Sequence, residues 1–251
     1  MSCEYIDTEI ADGVMKITIN RPEKKNAITL DMYNALSDSI ENAEQDNDVK
    51  VIFIMGKGGC FCAGNDLGDF VSPPPADAPS PAKRFIQNIA TAKKPLVAAV
   101  DGLAVGIGTT MLLHCDLIYA GANTRFSLPF VNLGLIPEAA SSYLLPKLVG
   151  HQRASELLFF GELFSAETAC EIGMVNQVFP EATLHANTLE KAKELAAKPA
   201  ESVRITKALL KKSSEAITNE IITEELELFA ERMRSPEFAT IITAFLTSQK
   251  A

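Results

Sequence analysis

Glu138 sits in the run Leu133-Gly134-Leu135-Ile136-Pro137-Glu138-Ala139-Ala140. Apolar neighbours that exclude water raise a carboxyl pKa, and a carboxyl so placed can take up and return a proton near neutral pH. Proline followed by an acid is also ordinary helix-start chemistry, so the spacing predicts a helix beginning at Pro137. Two glycine-containing turns offer a different chemistry. The segment Phe61-Cys62-Ala63-Gly64-Asn65-Asp66-Leu67 follows an apolar, β-branched run, and Gly64 lets the chain turn sharply and expose the Asn65 N–H. The same residues also suit a plain strand-to-loop turn, with Asn65 and Asp66 as turn formers. In Asp101–Thr110 a strand ends and a helix opens around Gly106. Free N–H groups at such a start can hold developing negative charge. Its G-x-x-x-G-x-G spacing is not that of a dinucleotide-binding loop, and tight packing of helix on sheet accounts for the glycines equally well.

Other reactive residue types do not assemble. Cys60 and Cys62 are spaced C-x-C without a second pair, His114 adjoins Cys115, and His151 and His185 stand alone, so no metal is implied. Five cysteines, an odd number, argue against a disulfide framework. The 23 basic and 32 acidic residues leave a net charge of −9. That balance disfavours nucleic acid and anionic membranes as partners, and an anionic ligand would need a local basic patch. The N-terminus carries acids where a signal peptide needs a basic start and an apolar core. The most apolar stretch, Pro95 to Ala120, is broken by Asp101, His114, Asp116 and three glycines, unlike a membrane span. A reduced, cytoplasmic protein is expected.

The elements that must position these groups follow from periodicity. Val14 to Ile19 alternates as a half-buried strand does, and Thr29 caps a helix with Met32, Leu36, Ile40 and Ala43 on one face. Val49 to Met55, Leu96 to Val100 and Leu117 to Ala120 read as buried strands. Alternating strands and helices favour a mostly parallel sheet. Val71 to Pro81 holds five prolines and reads as a surface loop that could act as a lid. Beyond Pro137 the pattern is helical except for a strand over Val175 to Phe179, with helices over Glu181 to Ala197, Glu201 to Lys211, Ile217 to Met233 and Pro236 to Leu246. The division falls near Pro180, giving a mixed part over 1–180 and a helical part over 181–251.

Five ordered segments together carry a resemblance that none carries alone. They are NRPEKKNAI at 20–28, FCAGNDL at 61–67, PLVAAVDGLAVGIG at 95–108, CDLIYA at 115–120 and FSLPFVNLGLIPE at 126–138. Over nearly its whole length the chain resembles the crotonase superfamily, the enoyl-CoA hydratase/isomerase family. The resemblance implies an α/β fold, a crotonase-type spiral of β-β-α units, followed by a C-terminal helical region that drives assembly into a homotrimer or a dimer of trimers. It implies an acyl-CoA substrate whose thioester oxygen is held by the N–H groups of Asn65 and Ile107, with no cofactor beyond the CoA that the substrate carries.

Hydratases of the family use two glutamates, and at the matching positions this sequence has Thr110 and Phe130. That departure argues against hydration. The pattern looks closer to the peroxisomal-type Δ3,Δ2-enoyl-CoA isomerases of unsaturated fatty-acid oxidation, which place a single catalytic glutamate where Glu138 stands. By the same resemblance Lys24, Lys25 and Ala27 line the CoA side, and Ala63, Asp66 and Leu67 border the oxyanion donor. Phe130 makes one side of the pocket apolar, and Lys250 could reach a neighbouring subunit's CoA. A hydratase with a relocated base and a non-catalytic acyl-CoA or protein binder remain as alternatives. The tail Thr247-Ser248-Gln249-Lys250-Ala251 is not an S-K-L address.

Overall fold

The computed structural model describes residues 3–71 and 80–248. An acidic strand, Ile6–Ala11 (β1), pairs antiparallel with Val14–Ile19 (β2) across the turn Asp12-Gly13. Both turn residues have positive φ, 53° and 77°, the geometry that a two-residue hairpin requires and Asp-Gly favours. Thr29 accepts the N–H of Met32 and so caps Leu30–Gln45 (α1), whose stripe Met32, Leu36, Ile40 and Ala43 is buried. Val51–Gly56 (β3) then returns parallel to β2. Next come Leu67–Val71 (α2), Pro81–Thr91 (α3), the fully buried Leu96–Val100 (β4), the short Leu103–Val105 (β5) and the four-residue Ile107–Thr110 (α4). Leu117–Gly121 (β6), Arg125–Ser127 (β7), Ser141–Val149 (α5), His151–Phe160 (α6), Phe164–Ser165 (β8), Ala166–Glu171 (α7) and Gln177–Phe179 (β9) complete the mixed part. Leu184–Ala196 (α8), Ala200–Lys211 (α9), Glu215–Met233 (α10) and Pro236–Ser248 (α11) follow.

The strands form a spiral. Long strands build a sheet in the order β1-β2-β3-β4-β6-β9, parallel from β2 onward. Shorter segments stack beside it: Ile28 bridges Asn65, Cys62 bridges Ala104, and β5 pairs with β7, which pairs with β8. Each turn of the chain thus adds one long and one short rung. The expected crotonase-type α/β architecture with C-terminal helices is what the chain adopts.

Packing crosses residue 180. Leu184 and Ala192 of α8 bury against Val51, Phe53, Val97 and Tyr119 on one face of the large sheet, and α10 packs on α3 and α5. No helix among the described residues is long and apolar enough to cross a membrane.

Two expectations need correction, and one feature went unread. The helix read from Pro137 begins at Ser141, because Ala139 and Ala140 take left-handed φ of 59° and 55° and turn the chain first. The proline-rich segment is not loop at its two ends: Val71 closes α2, and Pro81 opens α3 behind the Ser80 cap. Residues 72–79, and with them any lid, lie outside the described residues. Finally, the second sheet was not legible, since its strands are two or three residues long and show too little of the period-2 pattern to register.

Candidate active site

The bridge between Cys62 and Ala104 sets two turns side by side. Cys62 donates to Leu103 O at 2.9 Å and accepts from Val105 N at 2.9 Å. Asn65 lies three residues beyond the first bridged position and Ile107 three beyond the second, so parallel pairing brings them to equivalent places. Gly64, at φ 100°, brings its Cα so close that an added Cβ would stand 3.1 Å from Val105 O. Ile28 N donates to Gly64 O and Asp66 N donates to Ile28 O, which leaves the Asn65 N–H directed away from that bridge. Ile107 is the first residue of α4, where an N–H has no intrahelical acceptor. Gly106, at φ 56° and ψ −120°, redirects the chain into that helix.

Glu138 hangs from the following turn and is 4% exposed. The Thr110 hydroxyl, at the far end of α4, donates to Glu138 Oε1. One short helix therefore presents the Ile107 N–H at its start and grips the carboxyl at its end. Burial pushes Glu138 up to about 8; the Thr110 hydrogen bond opposes this and the Glu225 charge adds to it. Near neutral pH the protonated form is therefore favoured. The turn itself is tightly held. A His114 ring nitrogen lies 2.8 Å from Ala139 O, and the Glu225 carboxylate accepts from Ala140 N at 2.6 Å and Ser142 N at 3.0 Å. Burial holds the His114 imidazole down at about 4, so it is neutral and donates to the carbonyl.

A cavity of about 670 Å³ opens in front of Glu138. Asn65, Asp66 and Glu138 lie on its wall, with Ile28 and Tyr33 from one side and Leu226, Phe229 and Met233 of α10 from the other. Tyr33 donates to Asn65 Oδ1 at 2.5 Å, and its ring meets Phe85 at 5.5 Å, which fixes the Asn65 side chain. Asp66 pairs with Arg21 at 2.5 Å and accepts Gly68 N at 2.8 Å. Burial pushes its carboxyl up, but those two contacts outweigh it and hold the group below its ordinary value. Arg21 also donates to Ala27 O at 3.0 Å, tying the 20–28 segment to the Asn65 turn.

The other sequence candidates are off that wall. Lys24 and Lys25 are exposed, and Lys25 O accepts Ala63 N at 3.0 Å, so their turn abuts the Asn65 turn. Leu67 starts α2, beside Asp66. Phe130 is buried, with a ring carbon 3.9 Å from where a Gly106 Cβ would stand. Lys250 lies outside the described residues. Sequence reasoning did not find the roles of Tyr33, Arg21 and Glu225, and it weighed Thr110 only as a missing carboxylate. Their partners are remote in the chain, so no local pattern carries them.

No group of three or more His, Cys, Asp or Glu side chains is placed to hold a metal among the described residues. Cys62 lies buried behind the Asn65 turn, its thiol pushed up to about 12 by burial, so it is inert as a nucleophile near neutrality.

Comparison with known proteins agrees with this geometry. Residues 9–251 match the family model described as enoyl-CoA hydratase/isomerase. Enoyl-CoA delta isomerase 2 of Rattus norvegicus is 38% identical over 241 residues, covering 94% of this chain and 61% of that protein. The chain thus spans about three fifths of that relative's length. The 1,2-epoxyphenylacetyl-CoA isomerase of Escherichia coli (strain K12) is 33% identical, with 98% of this chain and 97% of that protein covered. Among solved structures, an enoyl-CoA hydratase/isomerase from Pseudoalteromonas atlantica superposes with a TM-score of 0.95 at 37% identity, covering 98% of both chains.

Proposed function

The chain belongs to the enoyl-CoA hydratase/isomerase family, and we propose that it moves the double bond of a 3-enoyl-CoA to the 2-position with Glu138 as its acid–base group. The observation that carries this reading is Glu138 itself. It is a buried carboxyl raised to about 8, and it shares the cavity wall with Asn65. As carboxylate it takes a proton from C2, between the thioester and the C3=C4 bond. The C–H electron pair forms C1=C2, and charge moves onto the thioester oxygen. The N–H groups of Asn65 and Ile107 stabilise that oxyanion, each contributing about 3 kcal/mol by analogy with such donors. Glu138, now protonated, returns the proton to C4, the C3=C4 electrons taking it up while C2=C3 forms and the carbonyl is restored.

Thr110 and Phe130 support isomerisation over hydration. Thr110 spends its proton on Glu138, and Phe130 brings an apolar ring beside Gly106. Neither can activate water. Lys24 and Lys25, exposed at the edge of the Asn65 turn, are proposed contacts for CoA phosphates, with Ala27, Ala63, Asp66 and Leu67 bordering the pantetheine side. The proposed place of the reaction is the oxidation of unsaturated fatty acids. The near full-length match to the Escherichia coli relative favours a second reading, another acyl-CoA isomerisation on the same oxyanion pair. Incubation with 3-hexenoyl-CoA and with crotonyl-CoA separates the cases. Conjugated thioester from the first and no loss of the second is expected. Hydration of the second favours a hydratase, and binding without conversion of either favours the second reading or a silent binder.

A further inference from the structure

Two consecutive alanines, Ala139 and Ala140, stand at φ 59° and 55° directly after Glu138. Each costs about 1–3 kcal/mol in that region and persists only because its surroundings enforce it. Ala140 also caps α5 without a side chain that could satisfy the helix's free N–H groups. Glu225 does that from α10, with Oε2 on Ala140 N and Oε1 on Ser142 N. Burial pushes the Glu225 carboxyl up, and the hydrogen bonds from Ser142 and Ala140 oppose this in favour of the carboxylate anion. Glu225 is 5% exposed, so its carboxylate is the acceptor that satisfies these two N–H groups in the interior. Of the groups that hold this turn, Thr110 and His114 come from the α4 region, and only Glu225 comes from the helix that walls the cavity with Leu226, Phe229 and Met233.

Building on the reading of Glu138 as the acid–base group, we propose that Glu225 is a positioning residue, clamping the Glu138 turn to α10 and coupling the wall that meets the substrate to the orientation of the catalytic carboxyl. An acyl group pressed on Leu226 and Phe229 then bears on the same helix that sets Glu138. Charge gives a readout that packing alone would not. The ionisable groups nearest Glu138 are Tyr33 from α1, Cys62, and Glu225 from α10, and burial keeps the tyrosine and the thiol neutral. Farther along the wall, Asp66, Asp69, Lys83, Glu227, Glu231 and Arg234 are partly or fully exposed, where solvent screens them. His114 touches the turn but is neutral.

The test is Glu225→Gln assayed with 3-hexenoyl-CoA across pH 5.5–9.5, a range of about four pH units that brackets the acid limb. Gln offers one oxygen to two N–H groups and carries no charge. We expect kcat to fall on the order of 10²-fold with little change in KM, as for a reacting group misplaced by about 1 Å. We also expect the acid limb to move to lower pH, because a negative neighbour is gone. A folded variant with wild-type kcat, or one that loses only thermal stability while its pH profile stays put, overturns the proposal. Glu225→Asp keeps the charge but shortens the reach. It should lower kcat and leave the acid limb in place, and it decides the question if Glu225→Gln does not fold; wild-type kcat in that variant overturns the clamp. Failure of the wild-type protein to convert 3-hexenoyl-CoA would instead sink the underlying reading of Glu138.

Discussion

Glu138 couples activity to stability through one proton. Burial raises its pKa from the ordinary 4.5 to about 8, so the folded state holds a proton that the unfolded state releases between those values. Stability from this group is therefore fully present below 4.5 and is lost as pH rises through 8. Replacing Glu138 by Gln removes the titration. The melting temperature of Glu138→Gln should exceed that of the wild type at pH 9 and match it at pH 5; an equal difference at both would place the proton elsewhere. The same variant should keep the fold and acyl-CoA binding but lose on the order of 10²–10⁴-fold in turnover, read by single-turnover kinetics. Thr110 pulls the other way from burial, since its hydroxyl favours the ionised carboxyl. Thr110→Val should shift the acid limb of the rate profile to higher pH, and an unmoved limb would show that this hydrogen bond is absent in solution. At this scale the sequence displayed Glu138, because a carboxyl among apolar residues is a local pattern. It hid the grip on Glu138 and its turn, because Thr110 meets Glu138 across 28 residues of chain and Glu225 meets Ala140 across 85.

Among the elements, α4 is held close against the Asn65 turn. A Cβ on Gly108 would stand 2.4 Å from Cys62 O, and this close approach is what lets α4 lie against the Asn65 turn. Gly108→Ala must push the two apart, costing about 1–3 kcal/mol. It should also weaken the oxyanion pair, so chemical denaturation and kcat should both suffer; a fall in stability with unchanged kcat would detach the helix from the site. The periodic elements were legible: β2 and β4 match the expected ranges, and α1 starts behind Thr29 as its capping side chain foretold. β1 was hidden because all but its first residue are exposed, so the chain there reads as acidic surface; the Asp12-Gly13 pair was the one signal that could have revealed it. The helix assigned to Pro137 failed because local rules favour Pro at N1. Here Pro137 instead precedes a left-handed turn that Glu225 and His114 enforce from a distance.

For the whole molecule, the surface speaks to assembly. Phe159, Phe160 and Leu163 at the end of α6, and Leu209 and Leu210 on α9, are each at least 60% exposed. Large apolar side chains left this exposed suit surfaces that another chain covers. We propose that they meet across copies in a trimer or a dimer of trimers. Sedimentation should then report three or six chains, and Leu210→Asp should lower that number; a wild-type monomer would refute the assembly. The account as a whole stands on one buried carboxyl carrying the same proton from C2 to C4. A 3-hexenoyl-CoA deuterated at C2 and turned over in ordinary water tests this directly. If Glu138 shuttles the label inside a cavity that shelters it, deuterium must appear at C4 of the 2-enoyl product during the first turnovers. Product bearing only solvent hydrogen at C4 from the outset would contradict the single-glutamate shuttle.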